Sequence, residues 1–365
     1  MIGIKRLAKH LNMSISTVSR ALNDRPDSSE ATRKRVREAA AKLGYVPNQS
    51  GRNLRSGTTG TIGFMMKTGP EIIGQGHTHF FMNVLDGVQE VLLRHKLDLI
   101  ALLCASTEDE DDYLRRVVSR GVVDGLIISN TRRVDPRISF LADRKVPFVG
   151  FGRSTTDVGQ PWIDIDFETI ATESINRLVA RGHKRIAIGM PHDDINLGHV
   201  FHENARHALV RHGLTLDPQY IYRSLPSETG GYEIAQKIVG TKNRPTAIVL
   251  SNESSVIGLY RGLMEHGILP GRDIAVIGLY SSISQYLSPT LTGFHLSLHD
   301  LGVALGEALL ASMSQYADSY PLGIVRKLWP VTLIPRESDA FTFIKPAKSV
   351  PEPESQQLSG RTKYS

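Results

Sequence analysis

Apolar positions recur at helical spacing in the first 45 residues of this chain and in short strand-like blocks from Thr61 onward. In residues 5–11, Leu7, Ala8 and Leu11 stand at i, i+1 and i+4, which predicts a one-faced helix. Asn12 and Met13 break it. Ser14 then offers a hydroxyl cap to a second helix over 14–23, where the four-spaced Val18 and Leu22 form an apolar stripe. A third helix starts from a Ser29 cap with Glu30 at its positive end. It carries Val36, Ala39, Ala40 and Leu43 on one face and stops at Gly44. Three short helices sharing an apolar face make a minimal core.

After Thr61 the runs TIGFMM, LDLIALLC, VDGLIIS, VPFVGFG, KRIAIGM, TAIVLS and DIAVIGLY read as buried strands. FMNVLDGVQEVLLRH, DEDDYLRRVVSR and SSVIGLYRGLMEHG read as amphipathic helices between them. Such alternation predicts parallel sheets covered on both faces, with a ligand crevice beyond the strand ends. There are units for two sheets, so the expected core is two hinged lobes over 60–340. The expected divide near Gly159-Gln160-Pro161 and a return near 290–297 give a first lobe of 60–159 and 291–320 and a second of 160–290 and 321–340. Residues 341–365, with three prolines among 341–353 and few apolar groups, read as a disordered tail.

Charge divides the chain more sharply than composition does. Residues 1–60 hold 12 Lys and Arg against 4 Asp and Glu, whereas the remainder holds 31 against 33. The whole basic excess therefore sits on the small helical headpiece, which fits an electrostatic footprint for nucleic acid. The second helix turns Ile15, Ser16, Ser19 and Arg20 away from its apolar stripe. An arginine in the major groove can donate two bonds to guanine, hydroxyls can meet phosphates, and an isoleucine methyl can touch a thymine methyl. Residues 48–57, NQSGRNLRSG, carry one large apolar residue, Leu54, and are too short and polar to hold a helix alone. They read either as a linker with an incidental leucine or as a segment that orders on DNA with Leu54 as a minor-groove wedge.

With these pieces in place, the chain resembles the lactose-repressor (LacI/GalR) family of transcription regulators. The resemblance rests on IKRLAKHLNMSISTVSRALN, then SSEATRKRVREAAAKLGYVPN, then the leucine-bearing hinge. It continues through TIGFMM, VDGLIIS, GHKRIAI, TAIVLSNE, DIAVIG, SPTLTGFH and VTLIPRES. It implies an all-α helix-turn-helix headpiece (1–46), a hinge (47–59) and a two-lobed α/β core like the type I periplasmic binding proteins. DNA-binding roles are implied for Ser14, Ile15, Ser16, Thr17, Ser19, Arg20, Asn23 and Leu54. Effector-binding roles are implied for Phe80, Phe81, Arg153, Phe201, Arg206, Asn252 and Tyr280.

The implied partners are a pseudo-palindromic double-stranded operator, a small effector of carbohydrate type and a second copy of the chain, with no membrane. Departures from the family pattern matter most in the cleft. Gly51 stands where the hinge usually has alanine, Thr78-His79 where Asn-Pro is usual, Glu253 where an aspartate follows the strand asparagine, and Tyr280 at the cleft aspartate. Phe201 replaces an arginine. Phe80, Phe81, Phe201, Trp162 and Tyr280 together would favour a larger, flatter or disaccharide-like ligand.

Rival chemistries have less to stand on. No stretch of eighteen apolar residues and no secretory leader is recognisable, so a cytoplasmic location is expected rather than that of a periplasmic solute receptor. His77, His79, His199, His202 and His207 lack CxxC or HExxH spacing, so no metal and no cofactor are expected. The acids at 109–112 read as a helix start, no nucleophile or acid–base pair stands out, and the single Cys104 reads as a core thiol. The protein is therefore read as a regulator and not an enzyme. A corepressor-dependent regulator with a nucleobase or other non-sugar effector, and a solute-binding protein without a DNA role, remain the alternatives.

Overall fold

The computed structural model describes residues 3–22, 27–45, 58–68, 75–192, 194–316, 318–321 and 323–340, with side chains for all but 75–78. Asn23, Leu54 with most of the hinge, His77 and the 341–365 tail therefore lie outside the described residues or side chains.

The headpiece is three helices, α1 (Ile4–Leu11), α2 (Ile15–Leu22) and α3 (Glu30–Leu43). Asn12 ends α1 in the left-handed region at φ 54°, a conformation its short polar side chain tolerates. Ser14 Oγ accepts from Thr17 N at 3.1 Å, and Ser29 Oγ accepts from Thr32 N. Each such cap stabilises its helix by about 1 kcal/mol. Leu7, Ala8, Leu11, Val18, Ala21, Val36, Ala39 and Ala40 form the core. The α2 stripe is thus Val18 and Ala21, while Leu22 packs only at the margin.

The core begins with β1 (Thr61–Thr68), α4 (Gln75–Leu93), β2 (Asp98–Ala105), α5 (Glu110–Arg120), β3 (Gly125–Ile128), α6 (Pro136–Asp143), β4 (Phe148–Phe151) and β5 (Trp162–Ile165). It continues with α7 (Phe167–Ala180), β6 (Ile186–Pro191), α8 (Asn196–Arg211), β7 (Ile221–Ser224), α9 (Glu228–Gly240), β8 (Ala247–Leu250), α10 (Glu253–Met264) and β9 (Ala275–Leu279). The closing elements are β10 (Thr292–His295), α11 (Leu298–Ala311), β11 (Arg326–Trp329) and β12 (Thr332–Ile334). One sheet runs β11-β5-β4-β3-β1-β2 and the other β12-β10-β9-β8-β6-β7. Among the described strands of the two sheets, β12 alone is antiparallel to its neighbour.

These pairings correct the lobe boundaries expected from the sequence. Trp162 pairs with Gly150, so β5 belongs to the first sheet and the divide follows it, where Asp166 caps α7 by accepting from Thr169 N at 2.9 Å. Gly293 pairs with Gly278, which keeps β10 in the second sheet. The return to the first lobe is made by α11 and β11, the latter pairing Arg326 with Trp162. Helix α11 packs on α4 at glycine contacts: a Cβ on Gly302 would lie 2.0 Å from Val84 O, and one on Gly87 2.0 Å from His299 O. The chain therefore crosses between lobes after β5, after β10 and between β11 and β12. Apolar residues of both lobes join in one large cluster.

Candidate functional site

Two surfaces gather the chemically distinctive residues. On the headpiece, the buried Val18 and Ala21 turn the other side of α2 outward, leaving Ile15, Ser16, Thr17 and Arg20 exposed and Ser19 half-buried. Ser14 Oγ lies 2.8 Å from both Ser16 Oγ and Thr17 Oγ1, so the hydroxyls form one cluster at the helix start. Arg20 Nη1 reaches Asp27 Oδ2 at 3.2 Å, with both side chains more than half exposed. Such a solvated pair contributes little stability and gives way readily to a stronger anionic partner.

The second surface is a cavity of about 120 Å³ between the lobes, beyond the carboxyl ends of the strands. Its first-lobe wall is aromatic. Phe80 on α4 and Phe151 on β4 stack with centroids 6.1 Å apart, and Phe81 meets each edge-on. Phe167, at the start of α7, adds a fourth ring to the lining. Beside them lie Ser129, Asn130 and Thr131, the loop after β3. Asn130 takes φ 52°, and the buried Arg137 holds the turn by donating from Nη2 to Ser129 O at 3.2 Å and Asn130 O at 3.1 Å. Arg137 is neutralised by Asp135 and Glu110, each at 2.7 Å. Burial resists ionisation of Asp135, but the Arg137 guanidinium holds its carboxyl below the usual range.

Acids stand on two other walls. Asp164 of β5 lies 3.2 Å from Arg153 Nε, yet burial outweighs that cation and pushes its carboxyl up to about 7. Glu253, the first residue of α10, is pushed up to about 8 by burial and by the nearby Glu228 carboxylate. Glu253 Oε1 and Ser251 Oγ have no hydrogen-bond partner. Asn252 caps α10, its Oδ1 accepting from Ser255 N at 3.2 Å.

The lobes touch across the mouth of the cavity. Asn196 N donates to Thr131 O at 2.8 Å, Arg132 and Ile195 form an antiparallel bridge, and Asn196 Nδ2 donates to Arg153 O at 2.9 Å. Arg133 Nη1 adds an exposed ion pair to Glu203 Oε1 at 2.9 Å.

Of the effector residues expected from the sequence, Phe80, Phe81, Arg153 and Asn252 line the cavity, and Phe201, Arg206 and Tyr280 do not. Phe201 is fully buried with Ala205, Ala208 and Leu209 on the core face of α8. Arg206 lies on the opposite, exposed face beside His207. Tyr280 is half-buried with its ring 6.5 Å from that of His295, and Trp162 is also outside the lining. The aromatic argument for a disaccharide thus loses three of its five rings, and Phe151 and Phe167 take their place. Asp164 was missed as a cavity residue, and Glu253, noted in the sequence as a departure in the cleft, was not assigned a binding role although it lines the cavity. A signal existed for the first: an acid between Ile163 and Ile165 in a four-residue buried strand.

The remaining chemistry-bearing residues lie outside both surfaces' chemistry. Asp109 caps α5, accepting from Asp111 N and Asp112 N. Cys104 is buried, which pushes its thiol up to about 11. His199 pairs with Asp194, and His79 Nε2 lies 3.4 Å from Ser282 Oγ. Among the described residues no group of three or more His, Cys, Asp or Glu could hold a metal ion, and no helix is long and apolar enough to cross a membrane.

Comparison with known proteins covers both surfaces. Residues 3–48 match the model of bacterial regulatory proteins of the lacI family, and residues 175–338 match that of a periplasmic binding protein-like domain. The HTH-type transcriptional regulator AglR of Rhizobium meliloti (strain 1021) is 30% identical over 343 residues, 92% of this chain and 94% of that one. The lac repressor dimer bound to operator and the anti-inducer ONPF superposes with a TM-score of 0.78 at 20% identity, covering 93% of this chain and 99% of that one. The transcriptional regulator CelR–cellobiose complex superposes with a TM-score of 0.66 at 22% identity, covering 93% and 100%.

Proposed function

The chain belongs to the LacI family of bacterial regulatory proteins, and from that premise we propose that it is a cytoplasmic, sequence-specific repressor released or engaged by a small carbohydrate effector. The observation that carries this reading is the exposed Ile15, Ser16 and Arg20 face of α2, set off from the buried Val18 and Ala21. Arg20 is the base-reading anchor, with Ile15 and Ser16 as the variable readers. Ser14, Thr17, Ser19 and Asn23 serve the phosphates, and Leu54 serves as the hinge wedge. A transcriptional regulator is also what the name of the relative AglR describes.

A homodimer places two such helices on half-sites of a pseudo-palindrome. In support, β2 is an edge strand with Leu103 exposed, and Met82 of α4 is exposed as well. An apolar sheet edge is a surface that folded proteins usually cover. In the cleft, four phenyl rings supply an apolar wall for a sugar ring while Arg153, Asn252 and the loop after β3 offer polar contacts. An effector that binds one lobe closure better than the other shifts the balance between DNA-competent and DNA-incompetent arrangements.

The test is selection of duplexes from a random pool by the full chain, followed by mobility shifts at rising salt and with cellobiose, melibiose and maltose added. The expected result is one enriched pseudo-palindrome, affinity falling steeply with salt, loss in Arg20→Ala and a shift caused by at least one sugar. A pool with no enriched sequence ends the DNA reading. An operator complex indifferent to every sugar ends the carbohydrate reading.

A further inference from the structure

We infer that Glu253 sets the charge selectivity of the cavity, accepting a hydrogen bond from the effector and, with Asp164, restricting the site to uncharged or cationic hydroxylated molecules over carboxylated and phosphorylated ones. The inference rests on the reading of the cavity as an effector site and specifies what that site admits.

The first ground is geometric. Glu253 is only 7% exposed, lines the cavity and leaves Oε1 without a partner, and Ser251 two residues earlier leaves its Oγ unpartnered in the same lining. Buried polar atoms are nearly always bonded, so two open ones on one wall mark a place where a ligand completes the count. The neighbouring Asn252 has committed its Oδ1 to the first turn of α10, and Tyr280 lies outside the lining. Glu253 is therefore the carboxylate acceptor that the second lobe presents. A ligand hydroxyl or ammonium supplies the missing donor.

The second ground is the charge count. The lining holds two carboxyl groups, Asp164 and Glu253, and one cation, Arg153. Arg153 is already engaged, by Asp164 at 3.2 Å and by Glu168 at 2.5 Å. Glu228, on the helix packed against α10, adds a further negative charge beside Glu253. An anionic ligand thus enters a largely apolar cleft with no uncommitted cation among the described lining residues, and above the values of about 7 and about 8 to which burial pushes Asp164 and Glu253 it faces two carboxylates. Charges in such a medium interact strongly, and an unpaired one is costly.

Titration calorimetry on the full-length protein at about pH 9, where both acids are ionised, tests this, with cellobiose, melibiose, maltose, glucose and galactose as neutral probes, glucuronate, galacturonate and glucose 6-phosphate as anionic ones, and glucosamine, run at about pH 6, as the cationic one. Each anionic probe is expected to bind at least about 30-fold more weakly than its neutral parent. Glu253→Ala should weaken the best neutral sugar about 10-fold, the loss of one bond to a buried acceptor. Glu253→Gln should narrow the neutral-to-anionic gap by a similar factor. An anionic probe that matches its parent on the unmodified protein overturns the inference while leaving the effector reading intact, whatever the variants do. A gap unmoved by Glu253→Gln, in protein whose circular dichroism is unchanged, overturns it too. If no probe binds at all, the carbohydrate reading falls and this inference falls with it.

Discussion

The headpiece and the cavity hold their working groups in opposite ways. Arg20 and the α2 hydroxyls stand in water on a core of small and medium residues, with Arg20 paired to an exposed Asp27. Asp164 and Glu253 stand out of water on walls that belong to two large lobes. A solvated cation acts at long range and is screened by salt, whereas a buried carboxyl acts at contact and answers to its proton. DNA binding should therefore be sensitive to ionic strength and the cleft to pH, and substitutions should separate the two.

The most severe test is Val18→Asp. It places an unpaired carboxylate in a headpiece with little apolar burial to spare, and specific operator binding should drop by more than about 1000-fold as the three helices lose their packing. Calorimetric melting of the two-lobed core should not move; if it does, the two regions are not separate folding units. Next comes Arg20→Ala, expected to weaken the selected operator about 10- to 100-fold and to relax preference at one base pair of each half-site, with effector affinity untouched.

A third test concerns pH. Folding raises the carboxyls of Asp164 and Glu253 to about 7 and about 8. Between the ordinary carboxylate range and those values the native state holds protons the unfolded chain has lost, so core stability should fall as pH rises from about 5 to about 8. Glu253→Gln should flatten that slope in thermal melts, and a slope identical to that of the unmodified protein would remove Glu253 as its source. The smallest effect belongs to Glu203→Gln, which breaks the Arg133 pair across the cleft. Because both groups are about half exposed, effector affinity should change by no more than a few-fold.

How much of this was legible in the sequence follows from how each region is assembled. The headpiece is local: the Ser14 and Ser29 caps, the Gly44 stop and the faces of α2 all follow from residues within a turn or two of one another. The cavity draws on segments from Phe80 to Leu279, and whether a residue faces it depends on which lobe its strand joins. Phe201 illustrates the error, because family position placed it in the cleft while its own spacing with Ala205, Ala208 and Leu209 marked the core face of α8. Arg206 falls one position after Ala205, on the outer side. Asp164 and Glu253 were left without a binding role for a different reason. An acid in a short strand or at a helix start is ordinary in sequence, and its burial shows only once the chain is packed.

The contacts of Asn196 N with Thr131 O and of Arg132 with Ile195 run through main-chain atoms rather than through the cavity's side chains. Where the seam is written in backbone, it is indifferent to which side chains the chain carries there. Lining residues such as Phe151, Asp164 or Glu253 are thereby free to drift toward new ligands while these main-chain contacts between the lobes are kept, so one architecture can be retuned from one chemical signal to another by a few substitutions.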